Sequence, residues 1–270
     1  MNEDPGIAVA LGSAFLGVYA HSGFLCGLNK AGIFPAHIAG SSAGAIAGGL
    51  YAAGLRDGEL QKAALSSELK SSYFDPYFAF RSAPMGVGIL TGLLSGKRTI
   101  SHLEELLPVH NIEDCQNASL HIAVTEFRGN RAEFLTNGPL AKSIMASCAV
   151  PILFLEQEIS GKKYHDGGIL HELPIAPFVE NPDIHTIIVH DVAYPKATNM
   201  KKLRIGSIFG SSHRMMNQEL FAFRRLEAER NGKKVILLQT NHPHPGLLQS
   251  AGKKLQFFQA GESTAQKITV

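Results

Sequence analysis

Short apolar runs alternate with longer stretches of helical spacing along this chain. Residues 6–11 (GIAVAL) are continuously apolar, which predicts a strand buried on both faces. The run ends in a loop at Gly12-Ser13. Residues 17–29 predict a helix, with Gly32 just beyond its end. A second strand is expected over 35–39 and a second helix over 43–53. Residues 57–67 carry helical periodicity. Residues 101–107 (SHLEELL) predict a helix capped by Ser101, with Glu104 at the capping-box position. A strand over 120–126 with a neighbour over 132–135 precedes a helix over 140–148, stopped before Pro151. Residues 159–164 predict a hairpin around Gly161. Residues 186–192 predict another buried strand. A long amphipathic helix over 206–231 ends at Asn231-Gly232, and a last strand covers 235–239.

Strands that alternate with helices predict an α/β fold. The expected form is a three-layer α/β/α sandwich with a mostly parallel central sheet. No internal repeat or linker interrupts it, so residues 1–270 are read as a single domain. Its core spans about residues 7–192, with a helix and strand over about 200–240 packing on it. Residues 73–96 break the pattern: they are aromatic and apolar, yet punctuated by Pro76, Pro84 and several glycines. They read as an irregular segment packed on the core, or as a lid or lipid-contacting insert containing Phe78 and Phe80.

Composition narrows the classes. The chain has 270 residues, 45% of them hydrophobic, enough for one substantial core. A net charge of +2 without clustered Lys or Arg gives no nucleic-acid footprint. The three cysteines, Cys26, Cys115 and Cys148, form no disulfide or zinc pattern and suit a reducing compartment. Residues 5–29 and 33–55 carry no Asp, Glu, Lys or Arg. The first follows an acidic Met-Asn-Glu-Asp start, unlike a secretory signal. The second is rich in Gly, Ala and Ser and contains Pro35, unlike a spanning helix. The expected protein is cytoplasmic, with no cleavable signal peptide and no transmembrane segment. Membrane association is expected where its substrate lies in a membrane.

The candidate chemistry centres on Gly40-Ser41-Ser42-Ala43-Gly44, between the second strand and the second helix. A serine on a sharp strand-to-helix turn is a nucleophile elbow, and flanking glycines let strand and helix approach. Its oxygen sits at a helix N-terminus, which favours developing negative charge. The alternative is a plain Gly/Ser turn; a phosphate loop would need the lysine that is missing here. A serine needs a base. Asp166-Gly167-Gly168 offers a carboxylate in open backbone, although the same tripeptide also reads as an ordinary Asx turn.

Together these segments resemble the patatin-like phospholipase family. The resemblance rests on Gly40 to Gly44 followed by Leu50-Tyr-Ala-Ala-Gly54, on Ser143 to Phe154, on Tyr164-His-Asp166-Gly-Gly168, and on Leu173-Pro174. It covers about residues 7–192. It implies a Ser–Asp dyad with no histidine: Ser42 as nucleophile, and Asp166 as base towards Ser42 and then acid towards the leaving alcohol. It implies ester-linked acyl chains of phospholipids, lysophospholipids or neutral lipids as substrate, a lipid or membrane surface as partner, and no cofactor or metal. The family's oxyanion loop is a glycine run followed by Arg-Gly. Here that loop is Gly12-Ser13-Ala14-Phe15-Leu16-Gly17, without the arginine, and the backbone amides of Gly12, Ser13 and Ala14 are the expected donors. Glu172 stands where the family has Asn. The alternatives are a catalytically impaired binding protein of the same fold, and an α/β-hydrolase-type Ser-His-Asp esterase using His242 or His244, with His165 and His171 also beside the Asp.

Overall fold

Ala8, Val9, Ala10 and Leu11 have no exposed surface, as a strand covered on both faces requires. They belong to β1 (Asp4–Leu11), an interior strand of an eight-stranded sheet. The structure is a computed structural model that describes residues 4–73, 92, 94–129, 131–193, 205–241 and 250–268. β1 pairs in parallel with β2 (Pro35–Gly40) on one side and β7 (Thr186–Ala193) on the other. β2 in turn pairs in parallel with β3 (Ser119–Glu126), and β7 with β8 (Lys234–Asn241). Leu11 is level with both Gly40 and His190, so β1 and β2 end together beside β7, which continues to Ala193, and the turns that follow β1 and β2 meet.

The edge of β3 brings the second candidate residue to the first. β4 (Arg131–Leu135) runs antiparallel along one edge of β3, from Ile122 to Glu126. On the other edge β2 pairs only as far as Ile122. Val124 and Thr125 then pair antiparallel with Asp166 and His165 of β6 (Lys162–Asp166). β6 therefore takes over that edge just past the end of β2. It is held there by a hairpin with β5 (Gln157–Ile159), closed by Ser160 and Gly161 at φ 50° and 78°.

Helices cover both faces, and the alternation along β1 sorts them. Val9 and Leu11 face a core with α1 (Val18–Lys30), α2 (Ala43–Ala52) and α9 (Ala251–Ala265). Ala8 and Ala10 face α7 (Ala176–Val179) and α8 (Ile205–Arg230). This is the expected three-layer α/β/α sandwich with a mostly parallel sheet. α3 (Asp57–Leu65), α4 (Ser67–Ser72), α5 (Lys97–Leu106) and α6 (Leu140–Ser147) join the first of these cores. Among the described residues no helix is long and apolar enough to cross a membrane.

Three details differ from the sequence expectation. The helix expected to start at Ser101 starts at Lys97, behind Gly96 at φ 76°. The buried Thr99 donates to the Ser72 carbonyl at 3.1 Å and ties that first turn to α4, so the capping-box pattern lies inside the helix. The periodicity over 57–67 divides at Ser66, whose hydroxyl caps α4 by accepting from the Leu69 amide at 3.1 Å. α9 was not expected at all. It packs on α1 through backbone contact: a Cβ on Gly261 would lie 2.0 Å from the Ala20 carbonyl oxygen, and one on Gly23 1.9 Å from that of Phe258. Most of the segment over 73–96, with Phe78 and Phe80, lies outside the described residues.

Candidate active site

Ser42 joins β2 to α2 with φ 53° and ψ −117°, a conformation that strains a residue bearing a Cβ. Hydrogen bonds hold it there. Its amide donates to the Ser147 hydroxyl of α6 at 2.9 Å, and its carbonyl accepts from Ala45 and Ile46 at 2.9 and 3.2 Å. The two motif glycines act by close approach rather than by positive φ. A Cβ on Gly44 would lie 2.1 Å from the Leu11 carbonyl oxygen, and one on Gly40 2.5 Å from that of Gly44. Strand and helix therefore meet closer than any side chain would allow.

Asp166 ends β6 beyond the carboxyl end of β2. Its amide donates to Ala149 at 3.0 Å, and its carbonyl accepts from the Thr125 hydroxyl at 3.0 Å. The carboxylate is buried, and Oδ1 accepts from the Gly168 amide at 2.7 Å. Oδ2 is buried without a hydrogen-bond partner among the described residues. Burial pushes the Asp166 carboxyl up to about 6, against the opposing pull of the Gly168 amide and the nearby Ser42 hydroxyl. That Ser42 influence and the open Oδ2 together describe a carboxylate facing a serine without a closed hydrogen bond. Gly167 and Gly168 make the turn fit. A Cβ on Gly167 would meet the Ala123 carbonyl oxygen at 2.2 Å, and one on Gly168 the Ser13 hydroxyl at 2.5 Å.

In the loop after β1, two of the three expected oxyanion donors are engaged within the protein. The Gly12 amide donates to the His190 carbonyl at 3.0 Å, and the Ser13 amide to the Glu172 carbonyl at 2.8 Å. Both are occupied, because β1, β7 and the Glu172 turn converge there. The amides of Ala14 and Ala43 donate to no protein group among the described residues. Ala43 is the residue after the serine, the position from which an elbow supplies an oxyanion amide. It lies outside the donors expected from the sequence, although the Gly40–Gly44 turn marks its place. Leu16, at φ 56°, turns the loop into α1.

Ser42, Ala43, Ala14 and Cys148 line one cavity of about 290 Å³ whose other walls are mostly apolar. Cys148 also had no expected role. Its buried thiol neighbours both Ser42 and Asp166, and burial, reinforced by the Asp166 charge, holds it well above the ordinary thiol range, so it stays protonated. Glu172 faces a separate polar cavity of about 500 Å³ with Asp191 and Arg214. Burial, aided by Asp191, pushes its carboxyl up to about 7.

The tempting histidines are elsewhere. His165 Nδ1 lies 3.3 Å from the Ala149 carbonyl, and its ring packs against Phe127. His171 is buried against Phe134, and burial pushes it down to about 3. His242 and His244 lie outside the described residues. Beneath the loop after β1, His21 and His190 are wholly buried with their Nδ1 atoms 2.9 Å apart, and His190 Nε2 reaches Thr240 at 2.8 Å. Among the described residues no group of three or more His, Cys, Asp or Glu is placed to hold a metal ion.

A strained serine between strand and helix, on a three-layer α/β/α sandwich, defines an α/β protein built around a sharp strand-to-helix serine turn. The chain belongs to the patatin-like phospholipase family, whose model matches residues 9–179. Uncharacterised NTE family proteins of Mycobacterium bovis and Mycobacterium tuberculosis are 30% identical to it over 177 residues, which is 65% of this chain and 46% of theirs. The chain thus spans under half the length of those relatives. VipD from Legionella pneumophila has a similar fold, with a TM-score of 0.56 at 13% identity, covering 98% of this chain and 66% of that one.

Proposed function

We propose that this chain is a lipid acyl hydrolase working through a Ser42–Asp166 dyad and an acyl-enzyme intermediate. The observation that carries the reading is the buried, unpartnered Oδ2 of Asp166 beside Ser42, at the head of an apolar cavity. Ser42 Oγ attacks the ester carbonyl while Asp166 takes its proton. The amides of Ala14 and Ala43 receive the oxyanion, with the N-terminus of α2 adding its dipole. Asp166 returns the proton to the leaving alcohol, and the ester C–O bond breaks. Water, deprotonated by Asp166, then releases the fatty acid and restores Ser42.

A carboxyl at about 6 suits this double use, because it is mostly ionised near neutrality and yet a competent acid. The apolar cavity fits an acyl chain better than a polar or charged substrate. Among the described residues no imidazole lines that cavity, which favours the dyad over a histidine triad. The test is fatty-acid release from phosphatidylcholine and lysophosphatidylcholine. The expected result is release by the wild type that falls at least about 10³-fold in Ser42→Ala. Equal release by both proteins would contradict the reading.

A further inference from the structure

The mouth of the Ser42 cavity is rimmed by large apolar side chains that face water. Phe15 is 50% exposed, Val150 42% and Ile152 64%. Phe15 and Val150 line the cavity, and so do their loop neighbours Leu16 and Leu153. Of the five described non-glycine residues at positive φ, three belong to this region: Leu16, Ser42 and Ile152. Ile152 is the sharpest case. A β-branched residue at φ 74° is a steric outlier that Gly or Asn would relieve. Packing cannot be what maintains it, since the side chain stands mostly in solvent. Two loops thus hold apolar residues outward around one opening, one of them against its backbone preference, and strain of this kind marks functional positions.

We propose that this rim, Phe15, Val150 and Ile152, docks the chain onto a lipid surface so that the cavity mouth opens into the acyl layer. The inference rests on the lipid-hydrolase reading for its purpose, but it is tested separately. A protein seated on the rim would close the mouth. A lipid surface would continue the apolar wall of the cavity and let an acyl chain reach Ser42 without crossing water. The partly exposed Lys70 is the only charged side chain lining the cavity among the described residues, and an ammonium beside an apolar mouth suits the phosphate level of that surface.

The experiment is flotation of the full chain with phosphatidylcholine vesicles, in a Ser42→Ala background so that the lipid survives. Ile152→Asn and Ile152→Met are compared, with thermal stability and, in the Ser42 background, hydrolysis of a short soluble ester measured in parallel. The expected result is that Ile152→Asn lowers vesicle partition about tenfold while the melting temperature stays level or rises. Soluble-ester turnover stays unchanged, and Ile152→Met retains partition. No vesicle binding by the parent chain, or equal partition of the Ile152→Asn variant, would overturn the proposal. So would self-association that disappears in Ile152→Asn without vesicle binding, which would assign the rim to a second copy. Partition that depends on residue 152, without any ester hydrolysis, would leave the rim standing and remove the hydrolase reading.

Discussion

Asp166 is where the chemistry and the stability of this chain pull apart. Its carboxyl titrates at about 6 in the folded chain, against 3.8 ordinarily. A base must be ionised, so kcat/KM on a soluble ester should rise about tenfold per pH unit below pH 6 and level off above it. A profile flat from pH 4.5 to 8 would contradict this. For stability the sign is opposite. Between pH 3.8 and about 6 the folded chain binds the proton more tightly than the unfolded chain, so stability falls as pH rises, by about 3 kcal/mol across the window. Asp166→Asn keeps an acceptor for the Gly168 amide and removes that titration. Its melting temperature relative to wild type should therefore be highest above pH 6 and decline towards pH 4, while activity is lost. At this scale the turns that bring Ser42 and Asp166 together were legible because glycines mark them. Ser147 was not. Its partner is the Ser42 amide, 105 residues away in sequence, and no local pattern encodes that contact.

At the scale of elements, the site depends on α6 and on two close approaches. Ser147→Ala would leave the Ser42 amide unpaired at a strained turn, at a cost of about 1–2 kcal/mol. The expected kinetic effect is roughly a tenfold lower kcat with KM nearly unchanged, since Ser147 positions Ser42 and lies outside the cavity lining. A change confined to KM would contradict that role. Gly44→Ala has no such latitude, because its Cβ would meet the Leu11 carbonyl of β1. It should abolish activity and lower the melting temperature sharply, whereas Gly58→Ala on α3, where a Cβ meets nothing within 4 Å, should be neutral or stabilising. The strands and most helices were legible because this sheet is buried on both faces, and its strands read as apolar runs. α9 escaped because its buried face mixes Phe257 and Phe258 with Lys254, Gly261 and Thr264, which leaves a weak apolar stripe to read. The start of α5 was misplaced because a tertiary hydrogen bond, Thr99 to Ser72, outweighed a local capping pattern.

For the whole molecule, acid is the predicted weakness. His21 and His171 are pushed down to about 3 and His121 to about 4, chiefly by burial, and His190 is lowered as well. These side chains are neutral in the fold but charge in the unfolded chain below pH 6.5, so stability is lost as pH falls. Each of the first three costs about 2 kcal/mol at pH 5. Asp166 and Glu172 act in the opposite direction and offset only part of this. The melting temperature should therefore fall from pH 7 to pH 5, and a rise over that range would contradict the burial of these imidazoles. The layered α/β architecture was legible from the order of runs, but the meeting of the turns after β1 and β2 with β7 and the Glu172 turn was not. It follows from parallel register, and it is what occupies the Gly12 and Ser13 amides. The most direct test of the dyad is fluorophosphonate labelling at pH 7.5, read by intact mass on wild type, Ser42→Ala and Asp166→Asn. A single adduct on wild type, absent from Ser42→Ala and strongly slowed in a folded Asp166→Asn, is the predicted result. Labelling of Asp166→Asn at the wild-type rate, or no adduct on a folded wild type, would contradict an activated Ser42 paired with Asp166.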